Sequence, residues 1–168
     1  TLHGRVVKDG GGITPDVKID SPTYSRLVYS LVLSGVIDNF VIDYVRHHDS
    51  IPPVGEFSLS DADFEEFIEF AGTQDFDCRS SAETLFDQMK EELEKDGLSD
   101  SLKEELDALE KGLELDKAEF IRLKKDEIVP FIEEELAVRY YYQEAGVQVR
   151  LKYDSQLHEA LTKPVVEI

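Results

Sequence analysis

From Leu27 to Tyr140 the apolar residues of this chain recur at spacings of three and four. That period lays one apolar stripe along each of a series of helices and makes a sheet an unsuitable main architecture. Ser21-Pro22 reads as the first start, with Leu27, Val28, Leu31 and Val32 on one face and Gly35 as the stop. A second helix, from about Ile37 to His47, carries Ile37, Phe40, Val41, Tyr44 and Val45. Pro52-Pro53 and Gly55 mark residues 49–59 as a loop, after which Ser60 caps a helix with Phe64, Phe67, Ile68 and Ala71 facing inward.

Past a connection at residues 72–79, Ser80 and Glu83 form a capping box for a helix bearing Leu85, Phe86, Met89 and Leu93, which Gly97 ends. Ser101 with Glu104 repeats that signature ahead of a stripe of Leu102, Leu106, Leu109 and Leu113. The next helix runs from near Asp116 towards Gln143, with Phe120, Leu123, Ile128, Phe131, Ile132, Leu136 and Tyr140 on its apolar side. Pro130 predicts a kink or short break inside it, and Gly146 its end. Residues 147–153 alternate loosely, as a short strand would, and residues 155–161 read as a last short helix.

Residues 1–20 differ in kind. Arg5-Val6-Val7 and Val17-Lys18-Ile19 are short β-prone runs around Gly10-Gly11-Gly12, with Pro15-Asp16 as a turn signal. Two strands are too few for an independent sheet, so these belong with a sheet that is mostly elsewhere. The expected architecture is mainly α: a helical module of about six helices at residues 21–168, preceded by a short N-terminal β segment at residues 1–20.

Composition narrows the function. Among 168 residues, 18 Lys and Arg face 37 Asp and Glu, a formal charge of −19. Such a surface repels phosphate backbones and anionic membranes, which argues against nucleic acid as a partner. The most apolar stretch, Leu27 to Val45, is interrupted by Ser30, Ser34, Asp38, Asn39 and Asp43, so no membrane span is expected. A single cysteine makes no internal disulfide, and with four scattered histidines it builds no familiar zinc site. The chain opens at Thr1 rather than at a methionine, as expected of a piece of a longer protein, so the lack of a secretion signal in its first residues carries no weight.

Several constellations invite a chemical reading. Asp43 and His47 share a helix face, beside His48, but no third ligand completes a metal site. Asp75, Asp77 and Cys78 form an acidic turn without the glycine and terminal glutamate of a calcium loop. Gly10-Gly11-Gly12 lacks the Lys-Ser/Thr that a phosphate cradle requires, and no motif surrounds Cys78 as a nucleophile. The acidic helices from Glu83 to Glu135 read as solvated faces, with Glu91 and Lys95 in the favourable order for an ion pair. Tyr140, Tyr141 and Tyr142 cannot all point inward on one helix, so at least one belongs at a surface or contact. Nothing here assigns a catalytic, cofactor-binding or metal-binding residue.

The opening Thr1-Leu2-His3-Gly4-Arg5, the glycine turn, and Gly12-Ile13-Thr14-Pro15-Asp16-Val17 together resemble the C-terminal processing (tail-specific) serine peptidases, the S41 peptidase family. The match covers roughly the first tenth of the chain and places fixed glycines, Arg5 and Pro15-Asp16 in the family's order. The rest is similar in layout to the helical C-terminal extension of some members, including Arg139-Tyr140-Tyr141-Tyr142-Gln143. The resemblance implies a serine endopeptidase that cleaves unstructured C-terminal tails with a serine nucleophile and a lysine base, without cofactor or metal. Both catalytic residues precede this segment in the family, so the chain alone is expected to be inactive. Its implied partners are the rest of the parent protease, a homodimer mate or an adaptor protein, with peptide substrate bound by missing domains; the implied location is the periplasm or cell envelope. The rival expectation is a stand-alone acidic helical interaction module.

Overall fold

The computed structural model describes Ile19 and residues 22–162. The elements are α1 (Arg26–Leu33), α2 (Val36–His47), α3 (Asp61–Gly72), α4 (Ser81–Lys95), a 3-10 turn (Ser99–Leu102), α5 (Lys103–Leu113), α6 (Lys117–Leu123), α7 (Lys125–Lys152) and α8 (Ser155–Thr162). Among the described residues there is no strand, and the mainly α reading holds. The β segment expected at residues 1–20 lies outside the described residues, apart from Ile19. Two compact units are distinguished, Tyr24–Tyr153 and a second made of Thr1–Thr23 with Asp154–Ile168. In the second, the Asp154 carboxylate accepts the Leu157 N–H at 2.9 Å, opening α8.

Local chemistry explains the starts of α3, α4 and α6. At α3 the Asp63 N–H donates to Ser60 Oγ (3.1 Å) and the Ser60 N–H donates to Asp63 Oδ2 (3.2 Å). The expected box at α4 forms likewise between Ser80 and Glu83, at 2.6 and 3.1 Å. Asp116 caps α6 by accepting from Ala118 and Glu119. Each cap satisfies amide donors that the helix itself leaves orphaned, a contribution of about 1 kcal/mol.

Five expectations are corrected. The first helix starts at Arg26 rather than Ser21-Pro22, with Ser25 as its cap position and the Glu127 carboxylate accepting the Ser25 N–H at 2.7 Å. The box at Ser101 and Glu104 does not form: Ser101 lies in the 3-10 turn and its hydroxyl donates to the Leu98 carbonyl. Pro130 sits within α7 without breaking it, because its neighbours Ile128 and Ile132 are fully buried and core packing outweighs one lost helix bond. The predicted strand at residues 147–153 is helix up to Lys152, and Gly146 does not end anything. The expected helix from Asp116 to Gln143 is instead divided at Lys124, which separates α6 from α7.

The true break in α7 is at Tyr142, whose φ of 70° and ψ of −174° reverse the chain. Residues 125–141 and 143–152 are therefore the two arms of an antiparallel helical hairpin with a one-residue hinge. Cross-arm partners are symmetric about that hinge: Glu134 bonds Arg150 at 2.5 Å, and a Cβ on Gly146 would touch Val138. A side chain at such backbone angles costs about 1–3 kcal/mol, which only well-packed arms can sustain.

The core joins α1, α2, α3, α6 and the first arm of α7, with Ile51, Phe57 and Leu59 contributed by the loop between α2 and α3. Phe40 and Phe67 meet edge-on at 5.2 Å, and Phe64 stacks beside Phe67 at 5.9 Å. Each fully buried side chain of this size contributes about 1.5–3 kcal/mol. A smaller cluster of Ala137, Ala145 and Val149 seals the two arms of the hairpin, with Val54 of the loop against it. Small residues there let the arms approach closely.

Candidate functional site

Glu133 is the one charged residue in the core of the described chain, with 0% of its surface exposed. The first arm of α7 carries it inward, one position past Ile132 and one turn before Ala137. Its Oε1 accepts the Leu59 N–H at 2.8 Å and, more distantly, the Ser58 hydroxyl at 3.3 Å. Its Oε2 accepts from Lys152 Nζ and from the Tyr153 hydroxyl, each at 2.8 Å. Lys152 also donates to the Phe57 carbonyl at 3.1 Å. One carboxylate thus joins three segments: the loop before α3, the first arm and the end of the second arm.

Burying an isolated carboxylate costs several kcal/mol, and charge-assisted bonds on both oxygens offset that cost. All of these donors come from the fold itself, so nothing is left to polarise a substrate. The arrangement is a clasp. Sequence reasoning missed it, although a signal was present: Glu133 interrupts the face made by Val129, Ala137 and Tyr140, where an apolar residue is expected.

The tyrosine run forms the rest of the clasp. Tyr140 donates its hydroxyl to the His48 carbonyl at 2.5 Å, and Tyr141 donates to the Ile51 carbonyl at 2.6 Å. Tyr142, 81% exposed, is the hinge. Three adjacent rings therefore do two jobs: two hold carbonyls of the loop after α2, and the third stands at the reversal.

Burial lifts the phenols of this region. Tyr44 is pushed up to about 12, first by desolvation and then by the charges of Asp63 and Tyr140. Burial raises Tyr140, aided by Asp49, and raises Tyr153, aided by its hydrogen bond to Glu133. A phenol with a higher folded pKa contributes stability that is whole below its unfolded value, near 10, and is lost as pH rises through the folded value. An ultraviolet titration is expected to show three of the seven tyrosines, Tyr44, Tyr140 and Tyr153, ionising above the ordinary phenol range near pH 10 and only together with loss of helix, Tyr44 at about 12. Seven tyrosines titrating as one population near pH 10 would contradict this.

The other candidate residues are placed as follows. His47 Nδ1 lies 2.9 Å from the Asp43 carbonyl and 3.7 Å from its carboxylate, both side chains exposed. His48 stacks on Tyr44 with ring centroids 3.9 Å apart. Asp77 is engaged by Arg26 at 2.5 Å and by the Arg79 N–H, which hold its carboxyl below the usual range. Cys78 packs against the core, and burial raises its thiol, the reverse of an activated nucleophile. The expected Glu91–Lys95 pair is replaced by Lys95 with Glu92 at 2.6 Å, one step nearer along the same helix. Gly10-Gly11-Gly12 lies outside the described residues. Among the described residues no group of three or more His, Cys, Asp or Glu converges as a metal set.

No single described helix is long and apolar enough to cross a membrane; α1 and α2 qualify only as a pair bent by 60°, and their apolar faces are buried in the core. Fold and clasp together describe a helical module whose buried carboxylate ties three of its segments together. The chain belongs to the family described as "Probable PDZ-protease, C-terminal helical domain", whose model matches residues 27–163. It is thus a protease-associated domain, and the remainder of the parent chain is its first partner. Comparisons with curated proteins and with solved structures return no match.

Proposed function

We propose that this chain is the non-catalytic C-terminal portion of a serine endopeptidase of the S41, tail-specific type, acting on unstructured C-terminal tails. In this reading residues 1–20 close the protease core and residues 21–168 form the helical module that supports, dimerises or regulates it. The observation that carries the reading is an order along the chain: the Thr1-to-Val17 motif is followed directly by a segment matched as a PDZ-protease's helical domain. The module acts by positioning. Its one buried carboxylate is consumed by structural bonds, and its cysteine is held protonated by burial. The proposed address, the periplasm or cell envelope, rests on the resemblance.

Reading the open frame upstream of the codon for Thr1 tests this. A serine followed some tens of residues later by a lysine is expected, and replacing that serine in the whole parent protein should abolish cleavage of an unstructured tail. The isolated chain should show no turnover. A frame without those residues, or turnover by the isolated chain that one point substitution in it removes, would overturn the reading.

A further inference from the structure

Helices α4 and α5 form an arm with an unfinished core. Across residues 81–113 only Phe86 is buried, and α5 has no buried residue at all. The two helices run antiparallel and are joined across by Lys90 and Glu110 at 2.9 Å. Their facing leucines, Leu93, Leu102, Leu106 and Leu113, are only half-buried. Two helices alone cannot enclose a seam, whereas a third laid along them can.

One side of the arm carries the apolar surface such a third helix needs. Leu85 precedes the seam residue Phe86 by one position, Met89 precedes Lys90, and Leu109 precedes Glu110. In an antiparallel pair, offsets of the same sense on both helices fall on the same side. Leu85, Met89 and Leu109 therefore share one side, and they are 63%, 40% and 46% exposed. Gly112 lies one turn beyond Leu109 on that side, with open space over its Cα.

Charge decides what covers it. Residues 81–113 hold eleven acidic residues against four lysines, a net of −7, within a chain of net −19. A second copy of this chain would bring the same sign and be repelled. We infer that the Leu85/Met89/Leu109 side of the α4–α5 arm docks a basic amphipathic helix of a separate protein, its apolar stripe on those three residues and its Lys/Arg flanks over the arm's carboxylates. The root of the arm is held to α1 and to the segment before α4: Arg26 of α1 bonds Thr84 at 2.9 Å and Asp77 at 2.5 Å, and Arg79 bonds Asp87. A fixed arm loses little freedom on binding. The inference stands whether or not the parent is of the S41 type.

The probe is a synthetic 21-residue helix with leucines at spacings of three and four and lysines elsewhere, titrated by fluorescence anisotropy against the full 168-residue chain. A scrambled peptide of equal composition is the control. Saturable binding that weakens with salt and is at least ten-fold tighter than the control is expected, with amide-exchange protection in α4 and α5. L85E, M89E and L109E should each weaken it several-fold while thermal stability is kept. These substitutions make the arm more acidic, so attraction by charge alone would tighten binding. Binding unchanged or tightened by them, protection mapped elsewhere, or no preference over the scrambled peptide overturns the inference. Self-association of the chain abolished by the same substitutions would assign the face to a second copy instead, and a peptide that no longer reaches the arm in the whole parent protein would assign it to the parent chain.

Discussion

Replacing Glu133 by alanine is expected to destabilise Tyr24–Tyr153 by about 3–5 kcal/mol, the scale for breaking a buried ion pair by removing one partner. The Leu59 N–H would be left buried without an acceptor, Tyr153 would lose the group its hydroxyl serves, and Lys152 would lose its counter-charge. Lys152 can turn to water because it is partly exposed, so the amide and the phenol dominate the loss. Glu133→Gln keeps an acceptor for Leu59 but removes the charge opposite Lys152, and should cost roughly 1–3 kcal/mol. Denaturant unfolding measures both, and amide exchange at residues 57–59 should speed in step. An alanine variant within about 1 kcal/mol of the parent would show that the clasp carries little of the fold.

Gly146→Ala should also destabilise, although alanine is ordinarily the better helix former by about 1 kcal/mol. The added Cβ would stand 2.6 Å from Val138 Cγ2, closer than real methyl contacts come. Valine in a helix is fixed at one rotamer and cannot swing away, so the arms of the hairpin must separate. Overpacking of this kind costs about 1–3 kcal/mol and outweighs the propensity gain. Val138→Ala removes the obstructing methyl, and the double variant should recover most of what Gly146→Ala loses. If the glycine substitution stabilises by itself, the close approach of the arms is wrong.

These two residues also mark where sequence reading stops. Ser60 and Ser80 are legible as caps, and Asp116 as a helix start, because every partner lies within three residues. The stripes of α2 and α3 are legible for the same reason: Phe40, Val41, Tyr44, Phe64, Phe67, Ile68 and Ala71 are buried as their spacing predicts. The stripe of α4 and α5 is misleading. Periodicity reports which side of a helix is apolar and says nothing of whether another element covers it, and Leu85, Met89 and Leu109 remain exposed.

The reversal at Tyr142 is the sharpest difference. Glycine and proline are the usual punctuation, so Pro130 and Gly146 attract the break and the tyrosine does not. In the folded chain Gly146 instead permits the arms to touch, and Pro130 is carried by the burial of Ile128 and Ile132. Tyr142 takes the turn because the register it sets brings Lys152 and Tyr153 to Glu133, and Arg150 to Glu134. The strain at one hinge is offset by contacts about ten residues away on either side.

The sequence by itself determined the class of structure: helical, acidic, with one apolar stripe per element and with the caps of α3 and α4 in place. Those properties follow from interactions within a single turn, whose free energies are local and nearly additive. Only the tertiary structure decided that residues 125–152 fold back on themselves, that Glu133 is a clasp, and that the α4–α5 arm stands with an apolar side open. Each depends on residues far apart in the chain, where the cost of burying a charge or straining a backbone is repaid by partners that no local pattern announces.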